Sequence, residues 1–170
     1  PIFRELFKGY HLSRRDPELY AQLSNQQDQY RTLFKALGFE LSCDPRGFYY
    51  FVPEQATPQV NKTAQRLALF TFILVEHLAD QGRDPLSVLD GGSLGRDELP
   101  SLLEKYRDLF LQTEVTTQEE LEEKIMRRLC QLGFASEDNG IYRFLAPMHR
   151  FLDVCLSVQQ DRDLAAALHS

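Results

Sequence analysis

The chain has 170 residues, 43% of them hydrophobic and 26% charged, with a net charge of −6 and a pI near 5.2. This is ordinary globular usage on a chain long enough to bury roughly 70% of its unfolded surface, which excludes disorder, collagen-like repeats and disulfide scaffolds and predicts one or two small domains. An acidic chain is also poorly suited to coating nucleic acid, because phosphate binding is carried by a basic excess, so any basic surface has to be local.

The segment Pro1 to Lys8 lacks the basic, apolar, small-residue order of a signal peptide, and a start without Met reads as a trimmed one, so export is not expected. Asp16-Pro17-Glu18 sets a capping carboxylate before a proline suited to a first helical turn. Leu19, Leu23, Tyr30, Leu33, Phe34 and Leu37 then follow at spacings that predict an apolar helix face, interrupted near Ser24-Asn25 and stopped by Gly38. Asp44-Pro45-Arg46-Gly47 has turn chemistry between Phe39-Glu40-Leu41 and Phe48 to Val52, which predicts a hairpin. Pro53 to Asn61, with two prolines and polar residues, reads as a boundary.

Lys62 to Gln81 is predicted as a helix with apolar residues around most of its circumference, hence buried on several sides and closed by Gly82. A short strand near Leu94 and a helix over Asp97 to Leu111 should follow. Thr117-Gln118-Glu119-Glu120 is a capping box, and Leu121, Ile125, Leu129 and Leu132 form one stripe that ends at Gly133. Glu120 with Lys124, and Glu123 with Arg127, stand at i,i+4 in the favourable order. Asn139-Gly140 is a preferred hairpin pair between Phe134-Ala135 and Ile141 to Phe144. Met148 to Val158 is expected to be a terminal helix and 161–170 a flexible tail.

The pattern repeats. Leu37-Gly38-Phe39 and Gly47 to Pro53 are echoed by Leu132-Gly133-Phe134 and Gly140 to Pro147, each copy being a helix, a Leu-Gly stop and an aromatic-rich hairpin. That order predicts a mostly α fold with small β-hairpin wings, an α+β chain of tandem winged-helix domains: 1–58, then 59–160, then the tail.

Catalytic and metal signatures are missing. The histidines are scattered outside any HExxH, Gly91-Gly92-Ser93-Leu94-Gly95-Arg96 lacks the Gly-Lys-Ser/Thr ending of a phosphate cradle, and Cys43, Cys130 and Cys155 have no CxxC spacing. The cysteines read as reduced thiols. The apolar run Leu67 to Val75 is nine residues long, short of the roughly 18 that span a bilayer. No cofactor, metal, membrane or enzymatic activity is expected.

Binding surfaces are the remaining choice. The helix before the second hairpin opens with Glu119, Glu120, Glu122 and Glu123, which oppose insertion beside phosphates. The first copy is milder: Arg31 and Lys35 on its helix, with Lys8, His11, Arg14, Arg15 and Arg46 near it in sequence, form a candidate phosphate-contacting surface. Tyr49 and Tyr50 are adjacent in a strand, so one of them must face away from its own core, toward another domain or chain.

The order of these stretches, with Ile2-Phe3-Arg4-Glu5-Leu6-Phe7-Lys8-Gly9 at the start and Leu129-Cys130-Gln131-Leu132-Gly133-Phe134 near the end, resembles the MukE/MksE family of bacterial condensin subunits. The chain is shorter than MukE, lacks its acidic tail, and is most similar to MksE. The resemblance implies a non-enzymatic homodimer, cytoplasmic and nucleoid-associated, that binds an MksF-like kleisin and through it an MksB-like SMC ATPase. Chromosome organisation and plasmid defence are both implied processes. On this basis the expected dimer surface is Phe3, Leu6, Phe7, Phe70 and Leu74. The expected kleisin or interdomain contacts are Tyr49, Tyr50, Tyr142 and Phe144, and DNA within the complex would meet Lys8, Arg14, Arg15, Arg31, Lys35 and Arg46. A winged-helix transcription regulator is the alternative.

Overall fold

In the computed structural model of the chain, the described residues are 1–52, 58–89 and 92–153. They fold as a mostly helical α+β structure with two three-stranded antiparallel sheets. Two clusters of buried apolar side chains organise it. The first gathers Ile2, Leu6, Leu12, Leu23, Phe34, Leu41 and Tyr49. The second is larger and runs from Leu67 on the long helix to Met148.

The first unit opens with α1 (Ile2–Phe7) and β1 (Leu12–Ser13), neither of which had an evident periodic signal. The predicted interruption falls at Gln26, whose backbone leaves helical geometry between α2 (Pro17–Asn25) and α3 (Gln27–Ala36). Asp16 does not make the expected side-chain cap, because its carboxylate accepts from the Tyr10 hydroxyl and the Ser13 amide instead. The hairpin of β2 (Glu40–Asp44) and β3 (Phe48–Val52) is completed by β1 on the far side of β3. Leu12 lies opposite Tyr49, and Leu41 opposite Phe51, so these face the core, while Phe48 and Tyr50 point to the outer side.

The helix α4 runs over Pro58–Asp80, so helix replaces the expected linker from residue 58 on, and 53–57 lie outside the described residues. Leu67, Phe70, Ile73, Leu74 and Leu78 of α4 are all buried in the second cluster. After α5 (Leu86–Leu89) comes β4 (Ser93–Gly95) and a short 3-10 turn. The helix expected over Asp97 to Leu111 is instead two, α6 (Leu99–Lys105) and α7 (Arg107–Gln112), because Tyr106 leaves helical geometry.

The next helix begins at α8 (Gln118–Leu121), widens through a π-type segment over Glu122–Met126 and resumes as α9 (Arg127–Gln131). Thr117 Oγ1 accepts from the Glu120 amide at 3.1 Å, and the predicted Glu120–Lys124 and Glu123–Arg127 pairs both form. The return half of the box goes elsewhere: the Glu120 carboxylate accepts from the hydroxyls of Thr116 and Thr117. The second hairpin, β5 (Ala135–Asp138) and β6 (Ile141–Phe144), turns at Asn139-Gly140 and gains β4 on the far side of β6. Residues 149–153 are helical; the remainder of the expected terminal helix and the tail lie outside the described residues.

The two sheets have matching strand orders, β1-β3-β2 and β4-β6-β5, and Leu12 opposite Tyr49 corresponds to Leu94 opposite Tyr142. The helix-to-strand corners match as well. Phe39 N–H donates to Phe34 and Gly38 N–H to Lys35; Phe134 N–H donates to Leu129 and Gly133 N–H to Cys130. Both are six-to-one and five-to-two caps built on a glycine at positive φ. The chain therefore carries one strand, helix and hairpin unit twice.

Candidate functional site

The seam between the two units brings together polar and aromatic side chains from both. His11 directly precedes β1, in register with Tyr50, on the outer side of the first sheet. Its N–H donates to the Leu132 carbonyl at 2.8 Å and its ring Nδ1 lies 3.0 Å from the same oxygen. Arg150 Nη1 donates to the other ring nitrogen at 2.6 Å, and the Arg150 guanidinium sits 4.1 Å over the Tyr50 ring. Phe134 closes the pocket, its ring 4.3 Å from that of His11. With Nδ1 donating to a carbonyl and Nε2 accepting from a guanidinium, the imidazole is neutral. Burial, and then the Arg150 charge, push its pKa down to about 3. His11 thus adds no charge to the basic surface that its position in the sequence suggested.

Gly133 sits where no side chain fits: a Cβ there would lie 2.4 Å from the His11 carbonyl oxygen, and its φ is +81°. Arg46 reaches over the same seam to Asp153 at 2.5 Å while holding Asp44 at 3.5 Å. This expected DNA contact is therefore neutralised by two carboxylates.

The expected dimer residues separate. Leu6, Phe70 and Leu74 are buried in the chain's own cores, the first in one cluster and the other two in the second, so they present nothing to a partner. Phe3 is half-buried among Phe7, Phe34, Phe39 and Phe51. Phe7 is 62% exposed. The four aromatic contact residues divide in the same way. Tyr49 is buried, with its hydroxyl shared between Ser24 and Gln27, and Tyr142 and Phe144 are buried in the second cluster. Only Tyr50 faces outward, and Arg150 covers it.

The basic residues left over are Arg14, Arg15, Arg31 and Lys35, exposed and without an ion pair among the described residues; Lys8 is exposed and leans on Glu5 at 3.7 Å. Arg31 and Lys35 are one turn apart on α3, and Arg14 packs its charge 6.0 Å from the Tyr20 ring. At the front of the second unit's helix the acids are partly matched: Glu122 pairs with Arg96 and Glu120 with Lys124, each pair holding its carboxyl below the usual range. Glu119 and Glu123 stay exposed.

Sequence reasoning missed Arg150 and the burial of His11. The available signal was Tyr10-His11-Leu12, a lone histidine between apolar neighbours, but its acceptor stands 121 residues away. Among the described residues no three His, Cys, Asp or Glu side chains gather as a metal site, and no helix is long and apolar enough to cross a membrane. No curated protein matches the chain. The family model of the condensin complex protein MksE matches residues 1–156, through both helix and hairpin units and the seam between them, and the chain belongs to that MksE family.

Proposed function

We propose that the chain is a non-catalytic accessory subunit of an MksBEF-like bacterial condensin, working in the cytoplasm on the nucleoid. Its two units, 1–58 and 59–160, are taken as tandem winged helices that dimerise and grip an MksF-like kleisin, which bridges the heads of an MksB-like ATPase. The observation that carries this is the condensin-complex match over residues 1–156. The repeated order of strand, helices and hairpin supports it, since a chain that carries the same small unit twice can offer two related surfaces to its partners.

Each surface has a candidate role. Phe7, supported by Phe3, is the apolar patch of the first unit that suits a second copy. Arg14, Arg15, Arg31 and Lys35, with Lys8, are the cations available to DNA held by the whole complex; a handful of phosphate contacts gives weak, salt-sensitive binding unless other subunits add to it. The exposed Glu119 and Glu123 at the front of the second unit's helix disfavour insertion of that end into a DNA groove, and with it the regulator alternative. Chromosome organisation and plasmid defence would use the same subunit chemistry.

Light scattering on the chain alone, and mixed with the kleisin-like product encoded beside it, tests the proposal. The expected result is a dimer that shifts to a stable larger complex. A chain that ignores the kleisin and leaves a footprint on its own promoter at physiological salt would make it a regulator instead.

A further inference from the structure

The contact that joins the two units uses one corner and one sheet face, and leaves the counterpart of each unused. The second unit's corner, Leu132-Gly133-Phe134, is seated at the outer side of the first sheet, where Phe48 is fully buried and Tyr50 covered. The first unit's corner, Leu37-Gly38-Phe39, has the same capping bonds but is open: Leu37 is 56% exposed, and a Cβ on Gly38 would meet nothing within 4 Å. The receiving face has an open counterpart as well. In the second hairpin Ile141 and Arg143 occupy the positions of Phe48 and Tyr50; Ile141 is 48% exposed, and Arg143 is exposed with no ion pair among the described residues. Beside Ile141 lies a shallow depression of about 610 Å³, bordered by Gly95 and Gln118.

We propose that the open corner of one copy docks on the open sheet face of a second copy, repeating between chains the contact made within the chain. The inference rests on the dimer reading above and supplies its surface. The chemistry is matched group by group. Leu37, with Leu33 one turn behind it at 53% exposure, offers apolar surface to Ile141. Ser93 stands at the strand position of His11; because the Phe144 amide is taken by Gly92, the Ser93 N–H points off the open edge of β4, as the His11 N–H points toward Leu132. It can therefore receive the Leu37 carbonyl.

The cation and ring exchange sides. Within the chain Arg150 comes from the docking unit to Tyr50, whereas between chains Arg143 belongs to the receiving face and Phe7, exposed and edge-on to Phe39 at 5.7 Å, belongs to the docking one. A corner-to-face contact joins different surfaces of the same chain. When two copies make it reciprocally, four units close into a ring with neither surface left over.

The test is light scattering of the full chain at tens of micromolar, with Leu37→Asp and Ile141→Asp made separately. Both positions are exposed, and an unchanged far-ultraviolet circular dichroism spectrum with a cooperative melt shows that each variant folds. Each should weaken dimerisation by about 30-fold or more and leave one copy in solution. Leu37→Cys and Ser93→Cys chains should form a disulfide-linked dimer only when mixed, against the background of wild type with its own cysteines. A dimer that survives both aspartates and gives no mixed cross-link overturns this contact and leaves the dimer reading intact. A wild-type chain that is monomeric at these concentrations overturns both.

Discussion

His11 is held uncharged by burial among three aromatic rings and by the Arg150 cation, which together outweigh the backbone of Leu132 and Gly9 pulling the other way, and no carboxylate faces it among the described residues. A histidine whose pKa is about 3 in the fold and near 6.5 when unfolded binds its proton only in the unfolded chain between those values. Its contribution to stability is complete above about pH 6.5 and is lost as the pH falls toward 3, at about 1.4 kcal/mol per pH unit. Urea unfolding at pH 7 and pH 5 should therefore show a loss of about 2 kcal/mol in the wild type that is missing from His11→Gln; equal losses in both would remove this account. Tyr49 and Tyr50 show what is legible at this scale. Alternation along a strand fixes that one of them faces outward, but naming the outward residue requires the register with β1, and the strand Leu12–Ser13 is too short to announce itself.

Helix starts and stops were readable because the signals are local. Thr117 caps its helix as the sequence indicates, and Thr117→Ala should cost about 1 kcal/mol in thermal unfolding. Arg127→Ala should leave the midpoint unmoved, since the pair with Glu123 spans 3.9 Å with both side chains well exposed. A Thr117 variant as stable as wild type would mean that tertiary packing alone holds this turn. What remained hidden depends on packing. The break at Tyr106 has no glycine or proline to mark it, and α1 has only six residues, too few for a period to show. The π-type segment lies in the stretch from Leu121 to Leu129, where Leu121, Ile125, Met126 and Leu129 are all buried. Heptad-like spacing predicts the helix there without revealing its wider turn.

The two units fold against each other through a seam that tolerates no side chain at Gly133. Gly133→Ala should cost about 3 kcal/mol and split the melting curve into two steps, whereas Gly38→Ala, equally strained in φ but unobstructed, should cost about 1 kcal/mol and leave a single step. Calorimetry distinguishes these outcomes, and identical behaviour of the two variants would argue against a seam that couples the units. The repeat, the hairpins and the α+β class were legible because each copy carries its own punctuation in the chain. The seam was not, since it joins residues more than a hundred positions apart that no local pattern relates. The same separation orders events on the ribosome. The first sheet is complete at Val52, yet the corner that covers its outer side is not synthesised until Phe134. At about 5–20 residues per second the nascent chain holds Phe48 and Tyr50 uncovered for several seconds, an interval in which a chaperone or a neighbouring nascent chain meets that face first.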